Sequence, residues 1–340
     1  MSDRVLVTGA TGFVGSHLIE ALLKKGDSVA CLVRPTSDTS ALPVAKLELR
    51  LGDVTDPGSL ESAVEDTDVV YHLAGAIEAR SLAELNAVNE VGTRNLAQAC
   101  ARAGTTPVLV LVSSLEAAGP DPEGRVRTEA DPSAPVSNYG RSKLASEKAI
   151  QDLASSVPTS IVRAAAVFGE RDRETLAVVK ALQVAGLSLY TVPRAHSTYL
   201  SMIHARDLAD LLILTAGGGE RVQPSDQLIG QGLYYGADEE RLTLAEIVGR
   251  VANAIGEKQA TIINLPVEFA WLVGGGYEAW ARIRGRSPGV LSLDKIRSFS
   301  AGSFTCSPDK ARSQLGFVPA QPLDDRLIQT MGWYQDQGWL

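Results

Sequence analysis

Tyr139 and Lys143 stand four residues apart in NYGRSK (138–143). On a helix that spacing puts both side chains on one face. A lysine ammonium beside a phenol favours the phenolate. It can bring a tyrosine down from about 10 toward neutrality, where the phenol serves as general acid and base. Ser114 closes an apolar run 25 residues before Tyr139. Open α/β sheets bind ligands at the carboxyl ends of their strands, so a hydroxyl there could hold a carbonyl or alcohol oxygen against Tyr139. Ser114, Tyr139 and Lys143 are the candidate catalytic set. Tyr-x-x-x-Lys alone also describes a surface pair worth little. The pair gains meaning from a motif that could bind a redox partner.

That motif is TGATGFVGSHL (8–18). Residues 4–7 read as a short buried strand and residues 16–23 as a helix, with the glycines between them. Strand, glycine turn, helix is the context that a dinucleotide fingerprint requires. Gly9 lets the chain turn off the strand, Gly12 lets a pyrophosphate approach the backbone, and Gly15 lets the helix pack closely. The helix N-terminus adds free N–H groups and partial positive charge. The spacing is G-x-x-G-x-x-G, one residue longer in its first gap than the usual one. Thr8, Gly9, Thr11, Gly12, Phe13, Val14 and Gly15 are the candidate cofactor contacts here.

Further candidates lie at the ends of the next strands. The strand 28–33 ends in Val33 and Arg34, where an NAD enzyme usually carries an acid for the ribose 2′-hydroxyl. An arginine there suits a 2′-phosphate, so NADP(H) is favoured over NAD(H). The alternative is a solvated arginine at a strand end. After the strand 47–51, Asp53 could accept from an adenine amino group, with Val54 beside it, and Asp56 reads as an N-cap for the helix 57–64. The strand 68–75 ends in the small residues Leu73, Ala74 and Gly75, which permit close approach. His72 within it reads as a hydrogen-bonded core residue rather than a base. Val112 and Ser113 end the apolar strand 106–112.

Strands alternating with helices imply right-handed crossovers and a parallel sheet. The fold class is α/β, a Rossmann-type doubly wound parallel sheet with a smaller C-terminal substrate-binding lobe. Helices are expected over 86–103, from 138 to about 154, and over 174–185, 206–215, 309–315 and 324–336. Strands are expected over 159–162 and 198–203. Residues 227–230 could add a late strand. Thr243 and Glu246 form a capping box for a helix over 243–255. Residues 1–169 read as the dinucleotide-binding domain, with about 198–232 threading back into it. Residues 170–340 read mainly as the substrate lobe.

Composition narrows the function classes. The 340 residues carry a net charge of −8 with no basic stripe, which argues against nucleic acid as partner. Cys31, Cys100 and Cys306 are isolated and suggest neither metal nor disulfide. They read as buried thiols of a cytoplasmic protein. No stretch has the ~18–20 apolar residues of a membrane span. The nearest, 266–283, reads as an amphipathic helix covering the core or a substrate cleft, with membrane-surface contact ranked below that.

The chain resembles the extended short-chain dehydrogenases/reductases. It is similar to the epimerase/dehydratase group and, within it, to the 3β-hydroxysteroid dehydrogenase-like branch. The resemblance rests on TGATGFVGSHL (8–18), GDVTD (52–56), HLAG (72–75), NEVGTRNL (89–96), VSS (112–114), YGRSK (139–143), VFG (167–169) and MIHARDLAD (202–210). GRSPGVL (285–291), CSPDKARSQLGFVPAQPLDD (306–325) and WYQDQGWL (333–340) extend it. It implies that Tyr139 exchanges the proton, that Lys143 binds the nicotinamide ribose, and that Ser114 polarises the substrate oxygen. Ser113 would touch the cofactor, and Asn89 would be an active-site asparagine or a structural helix residue. Homodimerisation through the helices 86–103 and 139–154 is also implied.

Two departures stand out. Where the group often has Arg-Pro after the sixth strand, this chain has Arg163-Ala164, so the cofactor wall there, Ala164 to Val167, differs. Where sugar dehydratases carry Thr-Asp-Glu, this chain has Ser114-Leu115-Glu116, which argues against water elimination. Glu116 could still line the pocket. His204 reads as a buried histidine bonded to Asp207 or backbone. Trp271, Tyr277, Trp280, Trp333 and Trp339 read as packing, though the first three could cap an apolar ligand.

The preferred reading is an NADP(H)-dependent oxidoreductase acting on a ketone or secondary alcohol of a small, apolar or ring-containing molecule. Alternatives are a nucleotide-sugar epimerase that retains NAD(P), with Arg173, Arg194 and Arg206 as candidates for a UDP, and a non-catalytic dinucleotide sensor.

Overall fold

The computed structural model describes residues 2–182, 189–224, 229–257, 261–284 and 292–340. Its first strand, β1 (Arg4–Thr8), is buried on both faces, as a central parallel strand must be. Val5 and Val7 face one core cluster and Leu6 the other, following the two-residue period of a strand. The next strands are β2 (Ser28–Val33), β3 (Glu48–Leu51), β4 (Val69–His72), β5 (Val108–Ser114) and β6 (Thr159–Ala164). Then come β7 (Ala166–Phe168), β8 (Leu189–Pro193), β9 (Tyr199–His204), β10 (Leu233–Gly236), β11 (Arg241–Thr243) and β12 (Thr261–Leu265).

The helices are α1 (Phe13–Lys25), α2 (Glu61–Val64), α3 (Leu82–Asn86), α4 (Gly92–Arg102), α5 (Leu115–Ala118), α6 (Asn138–Gln151) and α7 (Arg173–Leu182). They continue with α8 (Ala205–Gly218), α9 (Leu244–Ala254), α10 (Val267–Ile283), α11 (Leu293–Ala301), α12 (Asp309–Leu315) and α13 (Leu323–Asp336).

Seven parallel strands form the main sheet in the order β10-β6-β5-β4-β1-β2-β3. One face is covered by α1 and α8, through Leu18, Ile19, Leu22, Leu208, Leu211 and Leu212. The other is covered by α2, α4 and α6, through Val64, Leu96, Ala97 and Ile150. The architecture is the α/β Rossmann-type parallel sheet that the strand–helix alternation predicts. The strand order reverses between β1 and β4, which opens a crevice at their carboxyl ends.

Several elements differ from the sequence expectation. The late strand of the main sheet is β10, not 227–230. Residues 229–230 turn, and 225–228 lie outside the described residues. The helix expected over 86–103 is interrupted by a π-helical turn at Ala87–Val91. The last residues of the expected helix 174–185, and GRSPGVL (285–291), lie outside the described residues. β7, β9 and β11 make a second small sheet, and β8 pairs with β12. The three cysteines are buried and free.

The C-terminal helix is tied to this body by one buried ion pair. Arg326 on α13 donates to both carboxylate oxygens of Asp207 on α8, at 2.8 and 3.0 Å. Removing one member of a buried pair strands the other charge. Arg326→Met is expected to cost about 3–5 kcal/mol of stability, read as a lower midpoint in thermal or denaturant unfolding. The double variant with Asp207→Leu should recover part of that loss.

Candidate active site

The glycine loop is shaped by contacts that no side chain could share. Gly9 has φ +72°, and a Cβ there would lie 2.7 Å from the backbone of Leu73 and Ala74. A Cβ on Gly15 would lie 2.3 Å from the Gly9 carbonyl. Gly12 caps α1 without a side-chain hydrogen bond, and the first turn has no acidic residue. This positive, side-chain-free helix end suits a pyrophosphate. Thr11, Gly12, Phe13 and Val14 line a cleft of about 1450 Å³, together with Leu73, Gly75, Val112, Ser113, Ala164 and Val167. Thr8 stays behind the loop. Its hydroxyl accepts the Ala74 N–H at 3.1 Å and bonds His72 Nδ1 at 2.7 Å.

Other predicted contacts fall outside the cleft lining. Val54 is core, packed against Gly92. Asp53 Oδ1 accepts the N–H and hydroxyl of Thr55 at 2.9 and 2.8 Å. Those bonds, and more weakly Arg34, hold its carboxyl below the ordinary range. Arg34 is exposed in the turn after β2. His72 is a core residue as read, bridging Thr8 and Thr93, and burial pulls it down to about 3.

Ser114, Tyr139 and Lys143 come together at the carboxyl edge of β5, where α6 begins, and all three line the cleft. Ser137 caps α6 by accepting the Gly140 N–H at 3.0 Å. Gly140 is obligatory, since a Cβ there would lie 2.4 Å from the Glu116 carbonyl oxygen. Asp294, from α11, accepts the N–H groups of Asn138 at 2.8 Å and Tyr139 at 3.2 Å. Lys143 is buried, and its Nζ donates to the Val112 carbonyl at 2.7 Å. Burial pulls its ammonium down to about 8 against the attraction of Glu147.

The phenol departs from the expectation. Packing around Tyr139 pushes its ionisation well above the ordinary range, Glu116 adds to this, and a hydrogen bond with Ser114 opposes it. Lys143 is not among the groups that set it. The sequence counts the lysine charge but not the desolvation that weakens it. Glu116 is itself raised by burial, while Ser137 and Ser298 donate to its Oε2 at 2.5 and 2.8 Å.

Asn89, in the π-helical turn, is spent within the protein. Its amide donates to the Ala76 carbonyl and the Ser142 hydroxyl, each at 2.8 Å, and its oxygen accepts the Ala76 N–H at 2.7 Å. It fixes the backbone beside Gly75. The Ser113 hydroxyl donates to Glu147, which is held by the buried Arg163 at 2.6 Å. Sequence reasoning missed Asp294, Ser298 and Ser137. Only Ser137 carries a local signal, a serine just before a helix.

Residues 5–229 match the NAD dependent epimerase/dehydratase family. The chain belongs to that family. As a member it is an NAD(P)-dependent oxidoreductase. It is 30% identical over 336 residues to a ceramide reductase of Caulobacter vibrioides, covering 99% of this chain and 96% of that one. It is 29% identical over 342 residues to sterol demethylase protein B of Methylococcus capsulatus, covering 98% and 99%. Among solved structures, a dTDP-glucose 4,6-dehydratase of Streptomyces venezuelae with NAD and TYD bound has the same fold. Its TM-score is 0.77 at 22% identity, covering 99% of this chain and 98% of that one.

Within this family member, the arginines considered for a nucleotide diphosphate are mostly committed. Arg194 donates to the Ser300 carbonyl at 2.9 Å, and Arg206 pairs with Glu170 at 3.0 Å. Arg173 lines the cleft and stacks on Trp339. His204 is buried and bonded to backbone, as expected: its Nδ1 accepts the Arg206 peptide N–H at 3.3 Å, while its Nε2 lies 3.3 Å from Glu170. Asp207 is taken by Arg326. Burial pushes Glu170 up, yet His204 and Arg206 hold it down at about 2. None of Trp271, Tyr277 and Trp280 lines the cleft. Trp333 and Trp339 pack edge to face, with ring centroids 5.0 Å apart.

Lys143 gives a signed test. The unfolded chain keeps this proton to about 10.5, and the folded chain releases it near 8. Between those values the unfolded state binds more protons, so stability rises with pH. Denaturant unfolding across that window should show the rise in the cofactor-free protein and its loss in Lys143→Met.

Proposed function

We propose that this enzyme interconverts a ketone and a secondary alcohol with NADP(H), on a small apolar or ring-containing substrate. The observation that carries the reading is the meeting of Ser114, Tyr139 and Lys143 in the wall of the cleft that the glycine loop also lines. Burial favours the protonated phenol, the form that gives a proton to a carbonyl oxygen. Ser114 Oγ accepts the Glu116 N–H at 3.2 Å, so its one proton is shared between the Tyr139 oxygen and an incoming substrate oxygen. Tyr139 then completes the alcohol by protonating that oxygen. In this reading Lys143, anchored on the Val112 carbonyl, binds the nicotinamide ribose. The dinucleotide, when bound along the glycine loop and the β4–β5 strand ends, supplies the hydride.

The substrate reading rests on the cleft wall from the later half of the chain. Leu244, Ile247, Val248, Val251, Leu293 and Phe299 line it. The ceramide and sterol in the names of the relatives accord with an apolar wall. In this reading residues 1–169, with the returning segment to Gly236, carry the cofactor, and residues 170–340 mainly carry the substrate. A cytoplasmic homodimer through 86–103 and 139–154 belongs to the same reading. No helix among the described residues is long and apolar enough to cross a membrane.

Arg34 favours the 2′-phosphate because it is exposed at the end of β2 with no acid at Val33. Arg34→Ala should weaken NADPH about ten-fold more than NADH, measured by fluorescence titration. Equal weakening would mark Arg34 as merely solvated. Tyr139→Phe should lower turnover by at least about 100-fold with cofactor affinity within a few-fold. Unchanged turnover in a panel of ketones would remove Tyr139 from the chemistry.

A further inference from the structure

Among the described residues, α10 carries an apolar stripe that faces water. Phe269, Leu272, Val273, Tyr277 and Trp280 are all exposed, Leu272 to 74%. Their spacing of three and four residues places them on one side of the helix. The opposite side holds the buried Gly274 and the partly buried Glu278, which accepts the Leu293 N–H at 3.0 Å. A surface helix ordinarily turns its polar side to solvent. α10 has partly buried Val267 and Trp271 on its inner side and yet shows a second apolar stripe to water, and contiguous exposed apolar surface marks an interaction site.

Charge and ring chemistry single out the partner. Tyr277 and Trp280 pair at 5.7 Å, and the Arg284 guanidinium lies 5.4 Å from the Trp280 ring centre. Amphipathic rings beside a cation suit the headgroup level of a bilayer. The sequence at this end reads ARIRGR (281–286), three arginines in six residues of a chain whose net charge is −8, and among the described ones Arg284 is exposed. Such a cationic end draws anionic lipid. Glu268 sits at the other end of the helix. Phe299, on the neighbouring α11, is also exposed and lines the cleft.

We propose that α10 lies flat on an anionic lipid bilayer, with Phe269, Leu272, Val273, Tyr277 and Trp280 in the acyl boundary and Arg284 among the headgroups. The sequence pattern ranks membrane-surface contact below a core-covering role, and the outward stripe reverses that order. The docking claim does not depend on the substrate reading.

The test is sedimentation of the full chain with vesicles of phosphatidylcholine plus phosphatidylglycerol. The comparison variant carries Leu272→Glu and Trp280→Glu. The chain should pellet with the vesicles, and the variant should bind at least about ten-fold more weakly. Unchanged NADPH affinity reports that the variant is folded, and Phe269→Ser with Leu272→Ser replaces it if it is not. Failure of the chain to pellet, or equal binding by the variant, would overturn the proposal. So would a dimer that the variant converts to a monomer in size-exclusion chromatography while vesicles leave both in solution, since the face would then belong to a second copy.

Discussion

One carboxylate sets the N-terminus of the helix that carries Tyr139. Asp294 accepts the peptide N–H groups of Asn138 and Tyr139 from a helix 155 residues further along the chain. Those N–H groups have no partner within α6, and a carboxylate also complements the positive end of the helix. Ser298, one turn further along α11, donates to Glu116, which in turn holds the Ser137 cap. The late part of the chain therefore fixes the entry of α6, and α6 fixes Tyr139 and Lys143. Docking of α11 is thereby coupled to the entry of α6.

Burial then decides which protons are present. Lys143 is stripped of water and rests on a carbonyl, so its charge is weakened. Tyr139 lies near Glu116 and stays protonated. The two shifts point the same way, toward a neutral phenol and an ammonium that readily sheds its proton. A positive cofactor ring or a bound ribose would alter both, because each is set by desolvation more than by a fixed partner. The chain alone is poised as a proton donor.

Much of this is legible in the sequence. Gly9, Gly12 and Gly15 announced the loop because each answers a local steric demand, and local demands leave local patterns. The positions of Ser114 and Tyr139 followed from strand ends and helix spacing. Asp294 was invisible, since a carboxylate serving backbone N–H groups on a distant helix has no sequence spacing. The direction of the Tyr139 shift was also invisible, because charge can be counted along a chain and desolvation cannot. β10 escaped because its tyrosines are buried with polar partners, Gln314 for Tyr234 and Arg163 for Tyr235. Only the tertiary structure supplies those partners. The stripe on α10 could be read as periodic, but periodicity does not say which way a stripe faces.

The central claim is that this cleft carries out hydride exchange at a carbonyl carbon while the chain supplies the proton. The most direct measurement uses NADPH deuterated at the transferable position of nicotinamide C4, a panel of apolar ketones, and mass spectrometry of the products. The account predicts an alcohol bearing one deuterium on the former carbonyl carbon, formed faster with NADPH than with NADH. Absence of deuterium at that carbon, or no alcohol from any ketone with either cofactor, would contradict it.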